Sequence, residues 1–153
     1  MTALDVDTDT PTHLKAEWPF YWISQINAIY AEVLERRIKP LGIDIPRWRA
    51  MISLYEDQFL SVSEIAEFSA QKLNTTTKVV QRMQADGLVR TRVRPTDGRV
   101  TEVCLTDKGD ELRRAALQEA RQIFDLTFAD TPPEVIETLN TTLKDITAKL
   151  RKL

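Results

Sequence analysis

Arg90, Arg92 and Arg94 take every second position of the stretch RTRVR, and Arg99 follows within PTDGR. Alternate residues of an extended strand share a face, so three guanidinium groups would line one side of a ribbon with Arg99 near its tip. Guanidinium is a permanently charged, planar donor fork that suits phosphate, so the chemistry implied is the gripping of a polyanion. The charge is local: residues 71–100 hold Lys72, Lys78, Arg82, Arg90, Arg92, Arg94 and Arg99 against Asp86 and Asp97. That is a balance of +5 inside a chain of net charge −2, which leaves −7 for the remainder. Such asymmetry marks a localised anion-binding surface; the plainer alternatives are a solvated face and an edge strand protected by charge.

A second group precedes the arginines. In NTTTKVVQRMQADG the exposed side of a helix would carry Thr75, Thr76, Thr77, Lys78, Gln81 and Arg82, opposite Val79, Val80 and Met83. Hydroxyl, amide and cationic groups can reach base edges and phosphates, and threonine methyl groups can touch thymine. Three successive β-branched residues are poor helix formers and add no charge, which argues against a merely solvated face.

These groups need elements to position them. From Trp18 a helical period runs through Trp22, Ile26, Ile29 and Val33, and it must stop before Pro40, with Gly42 just beyond. A second helix opens at Pro46 with Trp48, Met51, Ile52 and Tyr55 on one stripe. SVSE forms a capping box, Ser61 with Glu64, ahead of a short helix Val62–Phe68 that buries Ile65 and Ala66. After a turn, Asn74 caps the threonine-bearing helix and Gly87 ends it. Two strands follow, joined by a loop longer than two residues around Pro95, Asp97 and Gly98, with Val89, Val93, Val103 and Leu105 on the packed face. Thr106 caps a helix to about Phe128, and TPPE opens a last one. There Ile136, Leu139, Leu143, Ile146, Leu150 and Leu153 form a heptad seam that needs a partner helix. The expected fold is mainly α with a small β-hairpin wing: a winged helix-turn-helix lobe at 41–106, a helical dimerisation region at 16–40 and 107–153, and a disordered tail at 1–15. In such a module the second helix of the motif enters the major groove and the first braces it.

The order of elements resembles the MarR family of bacterial winged-helix regulators. The likeness is carried by GLV at Gly87–Val89, D-x-R at Asp97 and Arg99, and LTDKG at Leu105–Gly109, and it spans roughly residues 18–153. The resemblance implies a homodimer whose first and last two helices intertwine and whose two lobes contact a pseudo-palindromic operator in double-stranded DNA. It implies that Asp97 holds Arg99 for the minor groove, while Thr77, Lys78 and their neighbours face the major groove. The sequence departs from the family at Thr76, where an apolar residue is usual.

The family resemblance also implies release from DNA by a small aromatic acid or its acyl-CoA thioester. Candidate effector contacts are His13, Trp18, Phe20, Trp22, Trp48 and Arg49; of these Trp22 and Trp48 read better as core, and Trp18, Phe20 and Arg49 better as pocket residues. A redox signal through the single Cys104 is the alternative. It lacks a resolving cysteine, and one His with one Cys makes no structural zinc site. A helical interaction scaffold is the remaining alternative. No enzyme chemistry is expected: His13 sits in the tail, no Gly-rich phosphate loop is present, and Glu64 and Glu67 suit capping and solvation. No cofactor, membrane span or disulfide is expected, and the lone cysteine and the lack of a secretory signal pattern point to the cytoplasm.

Overall fold

A computed structural model describes residues 15–55 and 58–153. The expected disordered tail falls outside these residues except for Lys15, and so does His13. The described chain is mostly helical with one small antiparallel sheet. It divides into two compact units, Met1–Ala120 and Arg121–Leu153.

Helix α1 (Pro19–Ile38) begins with proline at its first position, where the missing N–H costs nothing. A 3-10 turn at Lys39–Leu41 carries Pro40, and Gly42 stops the chain at φ 77°, with its N–H donating to the Lys39 carbonyl at 2.9 Å. Only the C-terminal end of α1 is buried, through Leu34 and Ile38. Helix α2 (Ile45–Ser53) is capped by Asp44, whose carboxylate accepts from the Arg47 N–H at 3.0 Å. It buries Trp48, Ala50 and Met51. Tyr55, expected on the same stripe, lies beyond the helix end and is half exposed.

Strand β1 (Leu60–Ser61) leads straight into helix α3 (Val62–Phe68). The expected capping box is present: Glu64 N–H donates to Ser61 Oγ at 3.1 Å, and Ser61 N–H donates to Glu64 Oε2 at 2.9 Å. Ala70, at φ 53°, reverses the chain, and Gln71 N–H closes onto the Ala66 carbonyl. Helix α4 (Leu73–Ala85) starts earlier than expected. Lys72 holds the extended N-cap position with no side-chain cap, so Asn74 lies inside the first turn, where its Oδ1 accepts from the Thr75 N–H at 2.9 Å. Thr76, Val79, Val80 and Met83 form its buried face. Two bonds close its end, Leu88 N–H to Met83 O and Gly87 N–H to Gln84 O, with Gly87 at φ 72°. This is the Schellman arrangement that favours glycine.

The sheet has three strands rather than two, in the order β1-β3-β2, with β2 at Val89–Arg94 and β3 at Asp97–Leu105. The two-residue β1 is too short to show a period. The hairpin is also tighter than expected. Arg94 pairs with Asp97, which leaves only Pro95 and Thr96 in the turn, and an irregularity between Val93 and Arg94 absorbs the mismatch. Val89, Leu60 and Val103 are buried on the core face. Val93 belongs to that face but is 61% exposed, because the ribbon extends beyond the helices it packs on.

Thr106, Lys108 and Gly109 fasten the wing to the end of α4. Thr106 Oγ1 donates to the Gly87 carbonyl at 2.6 Å and accepts from the Gly109 N–H at 3.1 Å, opening helix α5 (Asp107–Thr127). Lys108 Nζ donates to the Asp86 carbonyl at 2.9 Å. A Cβ at Gly109 would stand 2.0 Å from the Leu88 carbonyl oxygen, so the helix can approach this corner only with glycine there. In the second unit, helix α6 (Pro133–Leu150) has no buried residue, and Leu139, Leu143, Leu150 and Leu153 of its seam are exposed.

Candidate nucleic-acid interface

The outer face of α4 presents Asn74, Thr75, Lys78, Gln81 and Arg82 to solvent, with Thr77 half-buried beside them. Turning Val79, Val80 and Met83 inward fixes which residues point out, as the 3.6-residue period requires. Thr76 is the correction. It is 0% exposed, and its hydroxyl donates to the Lys72 carbonyl at 2.9 Å, so it cannot reach a groove. The helix begins one residue before Asn74, which turns Thr76 onto the core stripe three residues before Val79, the position where the family usually has an apolar residue. Thr77 makes a similar back-bond to Leu73 but keeps surface.

At the wing tip, Arg99 projects with 91% of its side chain exposed. Asp97 holds it: Arg99 Nε and Nη2 donate to the two carboxylate oxygens at 3.2 and 3.4 Å, and its backbone N–H donates to Oδ1 at 3.1 Å. Those bonds, the guanidinium first, keep the Asp97 carboxyl below the usual carboxylate range. A charged, solvated donor fork is thus aimed by its own neighbour.

The other wing arginines do not form the free phosphate-facing row that alternation suggested. Arg92 lays its guanidinium over the Phe59 ring, 3.3 Å from the centroid, and sits 3.5 Å from Glu102 Oε1. Arg94 donates to Glu64 Oε1 at 2.7 Å and stands 3.7 Å from Glu102. Glu102 is 5% exposed, so both cations serve a buried carboxylate on their own face of the sheet. Period-2 reasoning placed the arginines on one face correctly but could not show that Glu102 shares it. Arg90 pairs across the ladder with Cys104 and donates from Nε to Sγ at 3.3 Å. Cys104 is free and buried.

Among the expected effector contacts, Trp48 is 7% exposed and belongs to the core. Trp18, Phe20 and Trp22 are exposed along the start of α1, with Trp18 and Phe20 rings 6.3 Å apart. Arg49 is half-buried on α2. A cleft of about 420 Å³ lies elsewhere, at the base of the wing, between Tyr55, the Arg90–Cys104 pair and the first turns of α5. No local pattern announces it, because its walls come from three separated segments.

Among the described residues, no helix is long and apolar enough to cross a membrane, and no cluster of side chains could hold a metal ion.

The geometry agrees with known proteins. The MarR family model matches residues 43–101. The HTH-type transcriptional repressor IacR of Pseudomonas putida is 36% identical over 139 residues, covering 91% of this chain and 83% of that protein. Two solved structures share the fold. A mutant MarR from E. coli complexed with operator DNA has a TM-score of 0.75 at 18% identity, covering 90% of this chain and 99% of that one. CouR from Rhodococcus jostii RHA1 bound to p-coumaroyl-CoA has a TM-score of 0.79 at 18% identity, covering 85% and 92%. With an exposed polar helix face, a held arginine at the wing tip and a relative of this identity, the chain belongs to the MarR family of transcriptional regulators.

Proposed function

We propose that this chain is a homodimeric repressor that grips a pseudo-palindromic operator with two copies of the α4–wing unit and lets go when an aromatic acid or its CoA thioester binds. The observation that carries the DNA-binding part is the pairing of Thr75, Lys78, Gln81 and Arg82 on one solvent face with Arg99 held out by Asp97. The helix face suits base edges and phosphates of the major groove, and the wing arginine suits the minor groove, where narrow A·T stretches concentrate negative potential. A second copy would cover the exposed Trp22, Ile26 and Ile29 of α1 and the leucines of α6, since apolar faces of this extent are rarely left to solvent. The effector part draws on CouR, whose structure contains p-coumaroyl-CoA.

The test is a fluorescence anisotropy titration of a labelled duplex from the gene's own promoter region. Binding should weaken steeply with salt, as counterion release requires. Sedimentation should give a dimer, and aromatic acids or acyl thioesters should reverse the anisotropy rise. A chain that ignores every promoter duplex at low salt is not the regulator described here.

A further inference from the structure

We propose that Leu73 is a specificity-determining residue: from the leading end of α4 it seats on the C5-methyl group of one thymine in each half of the operator. Leu73 is the first residue of α4 and is 53% exposed. The other large apolar side chains of that helix, Val79, Val80 and Met83, are buried. A single exposed leucine is ordinary on a protein surface; this one is set apart by where it stands.

Its neighbours in the chain are polar. Lys72, Asn74 and Thr75 are all exposed, so one apolar side chain interrupts a cationic and hydrogen-bonding run at the tip of the helix. Lys72 holds the N-cap without a side-chain hydrogen bond, and a phosphate oxygen can take the place of the missing acceptor. Leu73, Thr77 and Gln81 then form one row at four-residue spacing along α4, flanking the inward stripe of Thr76, Val79, Val80 and Met83. The first two are linked directly, since the Thr77 hydroxyl donates to the Leu73 carbonyl at 2.9 Å. Helical side chains lean toward the N-terminus, so Leu73 overhangs the leading end of α4. A recognition helix meets base edges with its N-terminal residues, which puts Leu73 ahead of Thr77 and Gln81 in the groove.

The chemistry selects the partner. A leucine side chain offers no hydrogen bond, so it gains nothing from a phosphate or from the donors and acceptors of base edges. The thymine methyl is the apolar group that the major groove displays. A cytosine in its place would set Leu73 against an amino group that loses water without gaining an acceptor. The assignment rests on the DNA-binding reading above and adds to it one base and the side chain that reads it.

Removal of single methyl groups tests it. The operator is located by footprinting on the promoter duplex, and the thymines of one half-site are replaced one at a time by uracil. Uracil keeps every hydrogen-bonding group and loses only the methyl. Anisotropy titrations compare the full-length parent protein with Leu73→Ala and Leu73→Met, both of which should melt with the parent because the position is half exposed. One uracil position should weaken the parent about fourfold, the worth of one buried methyl-sized group. Leu73→Ala should bind the thymine duplex more weakly than the parent does, and uracil at that position should cost it nothing further. Leu73→Met, which keeps an apolar reach, should recover most of the penalty. A parent that binds every uracil duplex as tightly as the thymine duplex overturns the assignment without any variant. A penalty that stays fourfold in Leu73→Ala overturns it as well, because another side chain then reads the methyl. Both results leave the DNA-binding reading intact, whereas failure to bind any promoter duplex removes the two together.

Discussion

Arg94 Nη2 lies 2.7 Å from Glu64 Oε1, and the same carboxylate caps the Ser61 N–H through its other oxygen. The wing is therefore tied to the first turn of α3, the helix before the threonine-bearing α4. The buried Glu102 extends the tie to Arg92 and onto the Phe59 ring. Apolar packing of Val89, Leu60 and Val103 seats the base of the hairpin, and beyond it, where Val93 is uncovered, this chain of charged contacts continues the attachment.

The wing arginines should consequently divide into two kinds. Arg92→Ala and Arg94→Ala each withdraw a cation from a buried carboxylate, so both should lower the melting temperature. Arg99→Ala should leave the melting temperature unchanged and weaken operator binding roughly tenfold or more, the order expected for one lost guanidinium contact. Thermal melts alongside anisotropy titrations separate the kinds. A stable Arg94→Ala protein with the same DNA defect as Arg99→Ala would mean that Arg94 works on the duplex after all.

Acid stability should report the same tie. The Arg94 guanidinium, and after it the Ser61 N–H, hold the Glu64 carboxyl below the ordinary range; Arg113 does the same for Asp110. An unfolded glutamate titrates near ~4.3, so between that value and the lower folded one the unfolded chain binds more protons. These groups therefore contribute fully above ~4.3 and lose their contribution as pH falls through the folded values. Melting temperature followed downward from about pH 6 should drop on entering that window. Glu64→Gln, which can still cap Ser61, should flatten the drop. An acid limb identical to that of the parent protein would show that Glu64 holds no such proton linkage.

Local rules account for what the sequence revealed. The Ser61–Glu64 box, the glycine stop at Gly87 and the Thr106 cap each depend on residues within four positions of one another. Each appears in the structure as the spacing implies. Failures arose where a distant partner decides. Thr76 is inward because α4 begins at Leu73, set by the Ala70 reversal, and no cap residue announces it. Arg92 and Arg94 turn to Glu102 because β3 lies in register with β2, and strand β1 is held by that same β3. The wing-base cleft joins Tyr55, Cys104 and Arg113, which share no local pattern.

The LTDKG stretch supplies a sharper test. Gly109 packs so close that a methyl group would stand 2.0 Å from the Leu88 carbonyl oxygen and 3.2 Å from Leu105 Cδ2. The first of these is backbone and cannot rotate aside. Gly109→Ala should cost about 3 kcal/mol or more, the upper end of overpacking, despite alanine's better helix propensity. The expected phenotype includes weaker DNA binding, because the displaced corner is the end of α4. Chemical denaturation gives the stability, and a variant as stable as the parent would mean that α5 can shift outward freely.

The last prediction concerns the three threonines. Thr76 is wholly buried with its hydroxyl returned to the Lys72 carbonyl, whereas Thr75 and Lys78 are exposed. Thr76→Val keeps the shape and removes a hydroxyl that, among the described residues, bonds to the Lys72 carbonyl at the helix N-cap. Stability should change by less than about 1 kcal/mol, and operator affinity should not change. Thr75→Ala should weaken binding with little effect on stability. Lys78→Ala should do so uniformly across sequences and reduce the salt slope by about one unit if it meets a phosphate. Anisotropy titrations at several salt concentrations measure both affinity and slope. If Thr76→Val lost operator affinity while keeping its melting temperature, α4 would have to rotate on the duplex, and the outward face described above would not be the one that reads DNA.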